Sequence, residues 1–233
     1  KKLLVGGIVL GIMLCIASNL QQLGITNGDS VGKAGFITSV YIMLVPVVGL
    51  FFKKKTYPLI WLCAVVSAVG LYFLSVDPAR GAFNIEFSDL AYLGCAVFFA
   101  VQIILVSIYS PQVNCIALSC IQFAVAAVFS GIGMLFFETP SFAAILNAAG
   151  PLLYAGILSC GIAYTLQVIG QRGIDPAIAS LIMCLESVFS VIAGFLLLNQ
   201  RMTPREILGC GIMFAATVAA QLIPSTQKKN SRN

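Results

Sequence analysis

A single carboxylate stands far from every polar link in this sequence. Glu186 falls near the middle of an apolar run at 177–198, and its neighbours at three and four residues are Ile182, Met183, Phe189 and Ser190. A charge at the centre of a bilayer costs roughly 3 kcal/mol or more, so such a group needs a cavity, a partner or a proton. Two readings follow. Either the carboxyl contacts a solute or carries a coupling proton, or it is a hydrogen bond that holds helices together. Further polar side chains sit inside apolar runs: Tyr41, Gln22, Gln102, Tyr164 and Gln167, with Gln21 and Gln122. Such amides and phenols line a solute path or bond across helices for about 1 kcal/mol each, and the residues leave both open.

What is missing narrows the chemistry further. The sequence has no histidine, which removes a Ser-His hydrolase and an HExxH metalloprotease. No aspartate lies deep in an apolar run, so an aspartyl membrane protease lacks its pair. Eight cysteines occur without CxxC or metal-ligand spacing and read as small packing residues. No dinucleotide, phosphate or metal site is recognisable. The expectation is a protein that is not an enzyme, with no cofactor and no metal.

The elements that must position these groups are membrane helices. Of the 233 residues 60% are hydrophobic and only 9% charged, with a mean hydropathy of +1.02; soluble domains carry about 25% charged residues. Apolar runs at 3–25, 31–52, 57–76, 88–109, 115–137, 148–171, 177–198 and 205–223 each approach the ~20 residues that cross a hydrocarbon core as a helix. The breaks carry turn chemistry, among them Asp77-Pro78, Glu138-Thr139-Pro140, Gly173-Ile174-Asp175-Pro176 and Thr203-Pro204. The fold class expected is all-α: a polytopic bundle of eight transmembrane helices. Pro46 lies inside its span and leaves the Ile42 carbonyl without its usual partner. Gly7 and Gly11 form a GxxxG pair suited to close helix packing.

Charge sets the orientation. Eight spans put Lys1, Lys2, Lys53, Lys54, Lys55, Arg172, Lys228, Lys229 and Arg232 on one face and Lys33, Arg80, Arg201 and Arg205 on the other. The richer face is cytoplasmic, so both termini are expected there. The net charge of +5 is thus an orientation signal, and no nucleic acid is expected as a partner.

Two stretches resemble each other. Gly24-Ile25-Thr26-Asn27-Gly28-Asp29-Ser30, leading to Val45-Pro46-Val47-Val48, is similar to Gly170-Gln171-Arg172-Gly173-Ile174-Asp175-Pro176, leading to Glu186-Ser187-Val188-Phe189. On this reading 3–76 matches 148–223, and helices 88–109 and 115–137 precede only the second copy. The domains expected are a partial first repeat of three helices at 1–76, an external link at 77–87, a second repeat of five helices at 88–223 and a cytoplasmic tail at 224–233. A 3+5 arrangement suggests a 5+5 inverted repeat, a building plan of secondary transporters, with two further helices expected before Lys1.

These residues also carry a family resemblance. Gly32-Lys33-Ala34-Gly35-Phe36 through Val45-Pro46, Trp61-Leu62 through Leu74, Ser88-Asp89-Leu90-Ala91-Tyr92, Cys184-Leu185-Glu186-Ser187 and Arg205-Glu206-Ile207-Leu208-Gly209 resemble, in order and spacing, successive helices of EamA-type transporters. These belong to the drug/metabolite transporter superfamily. Ser187 stands where the family often has proline, and Asn199-Gln200 where it often has Gly-Glu. The resemblance implies a multi-pass carrier of the plasma (inner) membrane that moves a small amino-acid-like or drug-like metabolite by alternating access. Export is the expected direction, and proton coupling the role Glu186 would serve. It raises Tyr41, Tyr164, Gln102 and Gln22, whose helices surround the family's cavity. Expected partners are a small-molecule solute, the lipid bilayer and, as an open option, a second copy in a homodimer. The alternative is a non-transporting membrane scaffold or lipid-handling protein.

Overall fold

The computed structural model describes residues 1–27, 35, 37–52, 57–75, 87–137, 141–198 and 203–230. The triple-lysine link, the inter-repeat link with Asp77 and Arg80, and Lys33, Glu138, Arg201 and Arg232 lie outside them. Among the described residues there is no strand. The helices are α1 (Lys2–Asn27), α2 (Tyr41–Phe51), α3 (Pro58–Ser75), α4 (Phe87–Tyr109) and α5 (Cys115–Phe137). They continue with the short α6 (Phe142–Asn147), α7 (Ala149–Gly170), α8 (Pro176–Leu198) and α9 (Pro204–Asn230). Four of them, α1, α4 with the 3-10 turn that follows, α5 and α7, are long and apolar enough to cross a membrane; apolar stretches of α2, α3 and α8 are shorter. The protein is an all-α polytopic membrane bundle.

Local chemistry explains where the helices begin. Asn114 caps α5, its side-chain oxygen accepting from the Ala117 amide at 3.1 Å. Asp175 does the same for α8 through the Ala177 amide at 2.9 Å, with Pro176 in the first helical position. Thr203 and Glu206 form a reciprocal capping box at the start of α9: the Thr203 amide donates to the Glu206 carboxylate at 2.6 Å, and the Glu206 amide to the Thr203 hydroxyl at 3.2 Å. Gly173 adopts φ +80° in the turn between α7 and α8, a conformation that a Cβ disfavours. Asp89 lies buried in the first turn of α4, where the helix dipole favours a negative charge.

Packing gathers around two apolar cores. The larger joins α2, α3, α4, α8 and α9 through Ile42, Val45, Ile60, Leu71, Ile104, Leu181 and Met213. The smaller joins α1, α4, α5 and α7 through Leu10, Val106, Leu118 and Val168. α1 runs along α4 and α5, α3 along α9, and α2 along α8. Glycines permit the closest approaches: a Cβ at Gly11 would come 2.6 Å from the Gln122 carbonyl oxygen, and one at Gly70 would come 2.9 Å from that of Gly209. Thr217 on α9 donates across to the Leu181 carbonyl at 3.3 Å. Pro46 is buried within α2.

The structure departs from the expected boundaries in two places. The run placed at 148–171 is α7, but its centre, Tyr154–Tyr164, is a π-helix, and a separate helix, α6, precedes it. Hydropathy period cannot distinguish π from α turns in a uniformly apolar stretch, so only coordinates reveal the wider winding. At the other end α9 continues as helix to Asn230, past the boundary at 223.

Candidate functional site

Glu186 sits midway along α8 and is exposed at the bundle surface rather than sealed in either core. Two phenols share its electrostatic environment. Tyr41 comes from the first turn of α2, and Tyr164 from the last residue of the π stretch in α7; Glu186 lies within charge–charge range of both, and they of each other. Tyr41 and Glu186, more than a hundred positions apart, are brought near each other because α2 and α8 pack directly. Among the described residues no lysine or arginine accompanies them. Arg205 is held over the Tyr72 and Phe73 rings, and Lys2 donates to Gln112.

Apolar and thiol groups complete the surroundings. The Tyr164 ring meets the edge of Phe123 on α5, with centroids 6.1 Å apart and planes at 86°. Cys184 lies within electrostatic range of Tyr41 and Glu186, with Ser39 near its thiol; Cys95 and Cys160 lie in range of Tyr164. These thiols were not candidates on sequence grounds, since they sit on three helices with no common spacing. Among the described residues no group of histidine, cysteine, aspartate or glutamate is arranged to hold a metal ion.

The other expected polar groups are dispersed. Gln102 on α4 is 1% exposed, and neither of its amide atoms has a partner; Gln122 on α5, 0% exposed, is in the same condition. A buried unpaired amide is expensive, about 1–3 kcal/mol, which marks both as sites of stored polarity in the bundle. Gln22 is exposed on α1, and Gln167 is half-buried in α7. No hydrogen bond joins either of them, or Gln102, to Glu186. An apolar groove along α5, lined by Ile121, Ala124, Val125, Val128 and Phe129, contains none of these side chains.

Among the described residues Glu186 is the carboxylate placed mid-helix. Residues 86–220 match the model of the EamA-like transporter family. The chain belongs to that family and is a membrane transporter. An uncharacterized transporter of Archaeoglobus fulgidus is 28% identical over 218 residues, which are 93% of this chain and 68% of that protein. A crystal structure of a protein superposes with a TM-score of 0.74 at 17% identity, covering 95% of this chain and 85% of the other; that likeness concerns the fold.

Proposed function

We propose that the protein is an eight-span secondary transporter of the plasma (inner) membrane that exports a small metabolite by alternating access, with Glu186 as its proton-coupling carboxylate. The observation that supports this is Glu186 placed midway along α8, which packs on the helix carrying Tyr41, with Tyr41 and Tyr164 within its electrostatic range. Exchange of a proton for a ligand at one carboxyl, open to each side in turn, is the condition for coupling the two fluxes. The titratable groups within its electrostatic range are Tyr41 on α2, Tyr164 on α7 and Cys184 on α8. The helix ends support eight crossings. Lys2 donates to Gln112 at 2.9 Å, so the start of α1 and the link from α4 to α5 share one face, here assigned to the cytoplasm. Arg205 over Tyr72 and Phe73 puts the end of α3 beside the start of α9, on the opposite face in this topology.

The test is solute flux in liposomes with and without a pH gradient. Glu186→Gln retains volume and hydrogen bonding but cannot titrate; it is expected to assemble and exchange solute while losing acceleration by the gradient. Unaltered pH dependence in Glu186→Gln, together with failure of Glu186→Leu to assemble, would make the carboxyl a packing group and sink the coupling role.

A further inference from the structure

We propose that Gln102 and Gln122 hold one ordered water between α4 and α5, at an internal polar site separate from Glu186. The inference is independent of the transport reading. α4 and α5 are joined by the short link 110–114 and so run antiparallel. Across this hairpin Val106 and Leu118 pack in one cluster with Leu10 of α1 and Val168 of α7. Gln102 stands four residues before Val106, and Gln122 four residues after Leu118. Residues four apart share a helix face, and four residues rise about 6 Å. The two amides therefore lie on the faces that meet in that cluster, at one height, a turn further from the link. α1 closes over them, since it runs along both helices and its Gly11 lies against the Gln122 backbone carbonyl.

Burial decides what such a site must contain. Gln102 is 1% exposed, Gln122 0% and Ser119 1%. Among the described residues, neither the oxygen nor the nitrogen of either amide has a hydrogen-bond partner, and nor has the Ser119 hydroxyl. Ser119 precedes Gln122 by three residues, so it borders the same face. Each amide brings two donors and two acceptors, and a buried water typically bonds about three otherwise unsatisfied groups. Water both donates and accepts, so it serves an amide oxygen on one helix and an amide nitrogen on the other without drawing the backbones together. The apolar layer of Leu10, Val106, Leu118 and Val168 stands between this site and the link end of the bundle, so the water is enclosed from that side.

Water-edited solid-state NMR of the full chain in lipid bilayers, with isotope-labelled glutamine, tests this beside the melting temperatures of leucine variants. Magnetisation transfer from water to both side-chain amides is expected. Gln102→Leu should abolish it at Gln122, and Gln122→Leu should abolish it at Gln102. Each single variant strands the other amide and is expected to melt lower by about 2 °C or more. The double variant leaves neither amide to satisfy and should melt above both singles, or recover assembly if a single fails to assemble. A double variant no more stable and no better assembled than the singles would overturn the assignment in favour of separate sites. Coupled stabilities without water transfer would overturn it in favour of a direct amide–amide bond. Transfer at one amide that survives loss of the other would overturn the sharing of one water.

Discussion

The Arg205 guanidinium lies 5.2 Å from the centroid of the Tyr72 ring and 5.4 Å from that of Phe73. One cation thereby fastens the end of α3 to the start of α9, two helices that run along each other for much of their length. Stacking of this kind contributes about 0.5–2 kcal/mol. Arg205→Ala is expected to lower the detergent melting temperature, and Arg205→Lys to lower it less. Equal losses in both would show that guanidinium stacking contributes nothing beyond charge.

Close helix approach should make one glycine intolerant and another permissive. A Cβ at Gly11 meets a backbone carbonyl at 2.6 Å, whereas Gly131 has nothing within 4 Å. Gly11→Val should destabilise the pairing of α1 with α5 by about 1–3 kcal/mol, while Gly131→Ala should be neutral or slightly stabilising. Thermal unfolding of the two variants side by side checks the contrast.

The capping box at α9 gives a smaller and more local expectation. Thr203→Ala removes an acceptor for the Glu206 amide and should cost about 1 kcal/mol. Glu206→Gln should retain most of the cap, because an amide oxygen still accepts from the Thr203 amide. Amide hydrogen exchange in the first turn of α9 is the measurement, with faster exchange confined to Thr203→Ala.

Topology is open to a labelling test. A tag after Gln227 and a cysteine replacing Gln112 should both react only from the cytoplasmic side, and a cysteine replacing Asn84 only from outside. Reaction of Gln112 and Gln227 positions from opposite sides would break the eight-span assignment.

Much of the fold was legible because the links are chemically distinct from the spans. Asn114, Asp175-Pro176 and Thr203-Pro204 stop one helix and cap the next, so the starts of α5, α8 and α9 fall where turn residues interrupt apolar runs. The winding of α7 was not legible, since Tyr154–Tyr164 has the same apolar character in either winding. Glu186 stood out alone by its depth. Its nearness to Tyr41 required tertiary packing of α2 on α8, which no local spacing encodes. Ser39 and the thiols of Cys184, Cys160 and Cys95 were invisible for the same reason, because small weakly polar residues look alike in a lipid-facing and a site-facing position.

The π stretch gives α7 a mechanical property. Each i→i+5 ring encloses one residue more than an α turn, so Tyr154–Tyr164 holds slack in the helix. Thr165–Gly170 is gripped by α5, whereas every residue from Gly150 to Ala163 is exposed. Tightening wide turns into α turns would draw on that slack and screw the loosely held end around the gripped one. Tyr164 stands at the junction. Edge-on to Phe123 of α5, its phenol stays with the gripped end while the exposed turns before it take up the change of pitch.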